Sequence, residues 1–135
     1  MAIDFGTRRI GIAVSESESL ASPHSVVRNE GDIVSRLAAI AAGVAAHTII
    51  VGIPRRTHHH PEEEKFRRLA DALRQQTCKE VVLWDEALTT AEASTQLRES
   101  GRSRREAERE IDMHAAAVIL QSYLDSRQRA AGRTP

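Results

Sequence analysis

Ile3-Asp4-Phe5-Gly6-Thr7-Arg8-Arg9-Ile10-Gly11-Ile12-Ala13-Val14 decides the fold of this 135-residue chain. Ile3 to Phe5 is a short β-like run, Gly6 to Arg9 has turn chemistry, and Ile10 to Val14 alternates large and small residues with period two. Together these predict an antiparallel hairpin. A glycine inside the second strand, Gly11, leaves room for another backbone or a ligand to come close. Asp4 is an acid in an otherwise hydrophobic strand, where an ionised carboxylate is stable only if paired, hydrogen-bonded or bound to metal.

Outward from the hairpin, Ser15 to Ser22 is loop-like, and His24 to Arg28 supplies a third strand around Val26 and Val27. Asp32 is a candidate N-cap for a helix whose apolar stripe (Ile33, Leu37, Ile40, Ala41, Val44) carries it to about Ala46. Thr48-Ile49-Ile50-Val51-Gly52-Ile53-Pro54 is a continuous apolar run and reads as a strand buried on both faces, hence parallel and central. Pro61 and Glu62 to Glu64 are suited to open the next helix, with Phe66, Leu69, Ala70 and Leu73 on its inner face. Val81 to Trp84 forms another strand with Asp85-Glu86 just beyond its end, and Thr89 to Glu92 fits a capping box for a helix towards Arg98. In the last segment Asp112, Ala115, Ala116, Ile119, Leu120, Tyr123 and Leu124 fall on one helical stripe, which puts Asp112 on a packing face. The predicted fold class is α/β, a five-stranded mixed sheet with an antiparallel hairpin edge and flanking helices, in a single domain over 1–129. Residues 130–135 read as a flexible tail.

Composition narrows the function. Lys+Arg and Asp+Glu both number 19, so the formal net charge is zero and the chain does not bind nucleic acid or membrane by bulk charge. Aromatic residues are 3%, too few for a platform that stacks successive bases. Only Lys65 and Lys79 are lysines; the other cations are arginines, suited to bidentate phosphate contacts. No stretch reaches the apolar length of a membrane span or a signal segment, and the lone Cys78 cannot form an internal disulfide, so a reducing cytoplasm is the expected location.

Asp4, Asp85-Glu86 and Asp112 are therefore the informative acids. In open α/β sheets the ligand site lies at the carboxyl ends of the strands. Carboxylates converging there offer oxygen ligands to Mg²⁺ or Mn²⁺, and two such ions about 4 Å apart serve in-line phosphodiester hydrolysis. Taken singly, each acid is as readily a cap, a salt-bridge partner or a helix-dipole partner; their joint placement carries the reading.

The same residues carry a resemblance. Ile3 to Ser15, Val51-Gly52-Ile53-Pro54, Asp85-Glu86-Ala87-Leu88-Thr89-Thr90-Ala91-Glu92-Ala93 and Ile111-Asp112-Met113-His114-Ala115-Ala116 resemble, in order and over nearly the whole chain, the YqgF/RuvX family. The resemblance implies an RNase H-like fold related to the RuvC Holliday junction resolvases, and a nuclease that trims the 5′ end of pre-16S rRNA. It matches Asp4, Glu86 and Asp112 to the family's catalytic, metal-binding acids, with Asp85 a neighbouring candidate. Three features depart from the family pattern. The first strand begins almost at Met1, where many members carry extra residues ahead of the aspartate. Ala87 stands where an arginine usually follows the Asp-Glu pair, a charge that Arg8 or Arg9 replaces in this reading. The loop after Pro54 is Arg55-Arg56-Thr57-His58-His59-His60 in place of a Gly-containing acidic sequence.

Arg8, Arg9, Arg55, Arg56 and Arg105 are the candidate phosphate contacts. Arg98, Arg102, Arg104, Arg105 and Arg109 cluster before Asp112, with Glu99, Glu106, Glu108 and Glu110 as alternative partners in helical salt bridges. The histidine run lacks zinc-type spacing and reads as a solvated loop. His114 lies roughly 200° around the helix from Asp112, facing away from the acids.

The expected function is a metal-dependent endonuclease acting on structured pre-rRNA, or alternatively on branched DNA, as a monomer or homodimer. Two other classes compete. Asp4-Phe5-Gly6-Thr7 also reads as the first phosphate loop of actin-like ATPases, which need a second domain this length does not hold. A non-catalytic nucleic-acid-binding module is the other, against which the three acids argue.

Overall fold

The computed structural model describes residues 1–54, 62–86 and 104–132, and the backbone alone at Pro54, Glu62, Glu86 and 104–108. Along the chain run β1 (Ala2–Phe5), β2 (Arg9–Val14), β3 (Ser22–Arg28), α1 (Ile33–Gly43), β4 (Thr48–Pro54), α2 (Glu62–Thr77), β5 (Glu80–Glu86) and α3 (Arg104–Gly132). The five strands form one sheet in the order β3-β2-β1-β4-β5. β1 is antiparallel to β2, and β2 to β3, whereas β1-β4 and β4-β5 are parallel. The hairpin edge and the buried central strand expected from the sequence are both present. The helix expected from Thr89 lies outside the described residues.

The two faces of the sheet differ in bulk. Ile3, Ile10, Ile12, Ile49, Val51 and Ile53 pack with Leu37 and Ala41 of α1 and with Phe66, Leu69 and Leu73 of α2. On the other face Ala2, Ala13 and Ile50 meet Ala116, Ile119, Leu120 and Tyr123 of α3. Small residues on that face let α3 lie close to the sheet. A Cβ on Gly52 would come within 2.5 Å of Ile119 Cδ1, and one on Gly11 within 1.9 Å of the Asp112 carbonyl oxygen. The large-small alternation of β2 is thus the imprint of two unequal layers.

Local signals hold with small differences. Asp32 caps α1, accepting from the Ser35 amide at 3.2 Å and the Ser35 hydroxyl at 2.8 Å. Those hydrogen bonds hold its carboxyl below the usual aspartate range. A group depressed in the folded state stabilises above its unfolded pKa, and that contribution is lost as pH falls through the folded one. Asp32→Ala is accordingly expected to lower the melting temperature at neutral pH, with the gap to wild type closing in strong acid, as circular-dichroism melts across pH will show.

α1 stops at Gly43, three residues before the expected end, because a Schellman motif closes it: Ala46 N–H donates to Ala41 O at 2.9 Å and Ala45 N–H to Ala42 O at 3.1 Å. Ala45 occupies the left-handed position (φ 54°) usually given to glycine. A Cβ there costs about 1 kcal/mol, so Ala45→Gly is expected to raise the melting temperature by a few degrees. β3 begins at Ser22 and β5 continues through Glu86, each longer than its apolar core suggested. The polar stretch from Arg104 joins the last amphipathic segment in one helix of 29 residues that reaches Gly132 and takes in residues 130–132 of the expected tail; residues 133–135 lie outside the described residues.

Candidate active site

Asp4 sits in β1 directly opposite Gly11 of β2. Opposite residues of an antiparallel pair share a face, and Ala2 and Ala13, the next such pair, lie under α3. Asp4 therefore opens toward α3. Asp112 is partly buried on the stripe that continues through Ala116 and Ile119, and its backbone rests on Gly11. Gly11 is thus the device that brings Asp4 and Asp112 together, the close approach read from a glycine inside a strand.

Glu86 is the last residue of β5, paired with Pro54 at the same end of the parallel strands; its position is fixed by backbone register. Asp85, paired with Ile53, alternates with Val81 and Leu83, which pack toward α2. It emerges on the face opposite Asp112, among Glu63, Arg67 and Leu83. The structure separates Asp85 from the Asp4-Asp112 pair, because one residue of β5 reverses the face.

Arg9, the first residue of β2, reaches Asp112: Nε lies 2.8 Å from Oδ2, with the side chains 37% and 23% exposed. That oxygen is buried, and the contact is an ion pair rather than a well-aligned hydrogen bond. With both partners partly exposed, its worth is at most about 1 kcal/mol. Of the two arginines the sequence offered in place of the missing charge, Arg9 is the one paired with the Asp112 carboxylate. Arg8 is exposed in the turn. Arg55 and Arg56, with the histidine loop and Ala87, lie outside the described residues, and Arg105 is placed as a backbone position in the first turn of α3. His114 is exposed and faces away from the site, as expected. Cys78 is exposed and ends α2 in a left-handed turn (φ 57°), a structural position.

The donor chemistry fits a hard divalent cation. Asp4 and Asp112 present carboxylate oxygens on one face, and the guanidinium of Arg9 stands where positive charge is called for. Among the described residues no third acid, histidine or cysteine completes a cluster; Glu86, at the end of β5, is the remaining candidate.

A mixed sheet of this order with acids at the carboxyl ends of its parallel strands defines an RNase H-like fold. Two solved structures share it: Thermus thermophilus RuvC bound to a Holliday junction substrate (TM-score 0.57, 17% identity, 93% of each chain) and the same organism's RuvC (TM-score 0.56, 14% identity, 94% of each chain). The chain belongs to the RuvX family, described as Holliday junction resolvase, whose model matches residues 1–126. Its relatives include proteins named "Putative pre-16S rRNA nuclease" from Geobacillus kaustophilus, 38% identical over 95% of this chain and 98% of that one. Another of the same name is from Mycobacterium tuberculosis, 40% identical over 99% of this chain and 82% of that one.

Proposed function

We propose that this chain is a metal-dependent endonuclease that matures the 5′ end of pre-16S rRNA in the cytoplasm. The observation that carries the reading is the docking of Asp112 over Gly11, beside Asp4, at the carboxyl ends of the parallel strands. Asp4, Glu86 and Asp112 would hold Mg²⁺ or Mn²⁺. The bound cation supplies Lewis-acid polarisation of the phosphoryl group and activation of water. Arg9 pairs with the Asp112 carboxylate and orients it. With Asp112 engaged in holding a cation, the Arg9 guanidinium would contact a phosphate beside the scissile bond. Arg8 adds a second cation on the same turn.

The RNA assignment is supported by the names of the relatives, and branched DNA by the family description and the RuvC fold. The experiment offers the purified protein 5′ fragments of pre-16S rRNA, four-way junctions and ATP, each with Mg²⁺, Mn²⁺ or EDTA. Cleavage of the rRNA fragments is expected with either ion and none with EDTA. Preferential junction cleavage would assign branched DNA instead, and cleavage that persists in EDTA would refute the metal mechanism.

A further inference from the structure

Beside the Arg9-Asp112 pair lies a cleft of about 660 Å³, lined by Thr7, Arg8, Arg9, Arg28, Asn29 and Arg109. Resting on the nuclease reading above, we propose that this cleft is a second phosphate subsite, which grips the nucleic-acid backbone next to the scissile segment with Arg28 as its central cation.

Arg28 ends β3 directly opposite Arg9. Like charges at directly opposite positions of an antiparallel pair repel. Arg9 is neutralised by Asp112, whereas no carboxylate among the described residues pairs with Arg28, Arg8 or Arg109. Three arginines from three elements, the turn, β3 and α3, thus line one concavity whose single lining acid among the described residues is Glu30. An anion between them would relieve the repulsion, and planar guanidinium groups match phosphate in bidentate geometry.

The frame is also rigid. Asn29 ties β3 to the hairpin turn, its N–H donating to Arg8 O and its Nδ2 to Gly6 O, both at 2.9 Å. Arg36 of α1 donates to Arg28 O at 3.1 Å. Arginines held on such a frame lose little backbone freedom on binding. Arg109 lies three residues before Asp112 on α3, and Arg28 one strand beyond Arg9, so the cleft begins where the acidic site ends. A strand that places one phosphate at Asp4 and Asp112 lays the neighbouring phosphate here.

The test is fluorescence anisotropy with a labelled pre-16S 5′ fragment and a four-way junction, in Ca²⁺, between 50 and 200 mM salt. Wild type, Arg28→Gln, Arg28→Lys and Arg68→Gln are compared, Arg68 lying on the distant α2 surface. Arg28→Gln is expected to weaken binding about three- to tenfold and to reduce the salt slope by roughly 0.7–0.9, one phosphate contact. Arg28→Lys is expected to keep the slope and lose part of the affinity, and Arg68→Gln to match wild type. An Arg28→Gln protein with wild-type affinity and slope would overturn the subsite and leave the nuclease reading standing. A wild-type protein that binds neither ligand would overturn both.

Discussion

Asp4→Asn is expected to abolish cation-dependent cleavage, with a rate loss beyond about a hundredfold, and to leave the fold intact. Asparagine keeps the size and one acceptor oxygen of the side chain but removes the charge that a divalent cation requires of its ligand. Replacing outer-shell groups in metal sites costs about 10–100-fold, and a direct ligand is expected to exceed that range. Asp4 is half-buried in β1 beside Gly11, with strand pairing fixed on both sides. The change should therefore move the melting temperature little. Single-turnover cleavage in Mn²⁺ together with a thermal melt separates the two effects. A variant that melts like wild type and still cuts at the wild-type rate would remove Asp4 from the site.

Gly11→Ala is expected to be nearly as damaging by a different route. The added Cβ would sit 1.9 Å from the carbonyl oxygen of Asp112, and the next nearest atoms are also α3 backbone. Backbone cannot rotate out of the way as a side chain does, so α3 must move off the sheet. Overpacking of this kind destabilises by about 1–3 kcal/mol. A displacement of about 1 Å at a catalytic group can cost a hundredfold in rate. Gly52→Ala is the matched comparison. Its Cβ meets Ile119 Cδ1, the far end of a side chain that can change rotamer and that stands about two helical turns along α3 from Asp112. It is expected to lose some stability and to retain most activity. Equal activity losses in the two variants would show that α3 position as a whole, rather than the Gly11-Asp112 contact, sets the rate.

Much of this was legible in the sequence because the fold's constraints are local and periodic. The β2 alternation of large and small residues reports two unequal helical layers, and the Val51-Gly52-Ile53-Pro54 run reports a strand with both faces covered. Asp112 was legible as a sheet-facing acid from the spacing to Ala116 and Ile119 alone. Other features depend on three-dimensional register. Asp85 and Glu86 are adjacent in sequence, and only the pairing Ile53-Asp85 sends Asp85 toward α2. Arg28 carries no local mark of function; its significance comes from standing opposite Arg9 across β2-β3, a pairing that includes a register shift between Ile12 and Ala13. The choice between Arg8 and Arg9 as partner for Asp112 likewise falls to strand parity, since Arg9 shares the face of Gly11 and Ala13.

The formal charge of zero conceals an uneven distribution. Asp4 and Asp112 share one face of the sheet, and Arg8, Arg28 and Arg109, with which no carboxylate among the described residues pairs, line the cleft beside them. Affinity for nucleic acid is accordingly expected to be local and to depend on bound cation, because a divalent ion reverses the sign of the acidic centre.

The most direct test is a Mn²⁺ titration followed by the electron paramagnetic resonance of the free ion, on wild type and Asp112→Asn. Wild type is expected to take up one or two ions saturably, and Asp112→Asn to bind at least about tenfold more weakly. Equal uptake by the two proteins, or none by wild type, would contradict a cation site built from Asp4, Glu86 and Asp112.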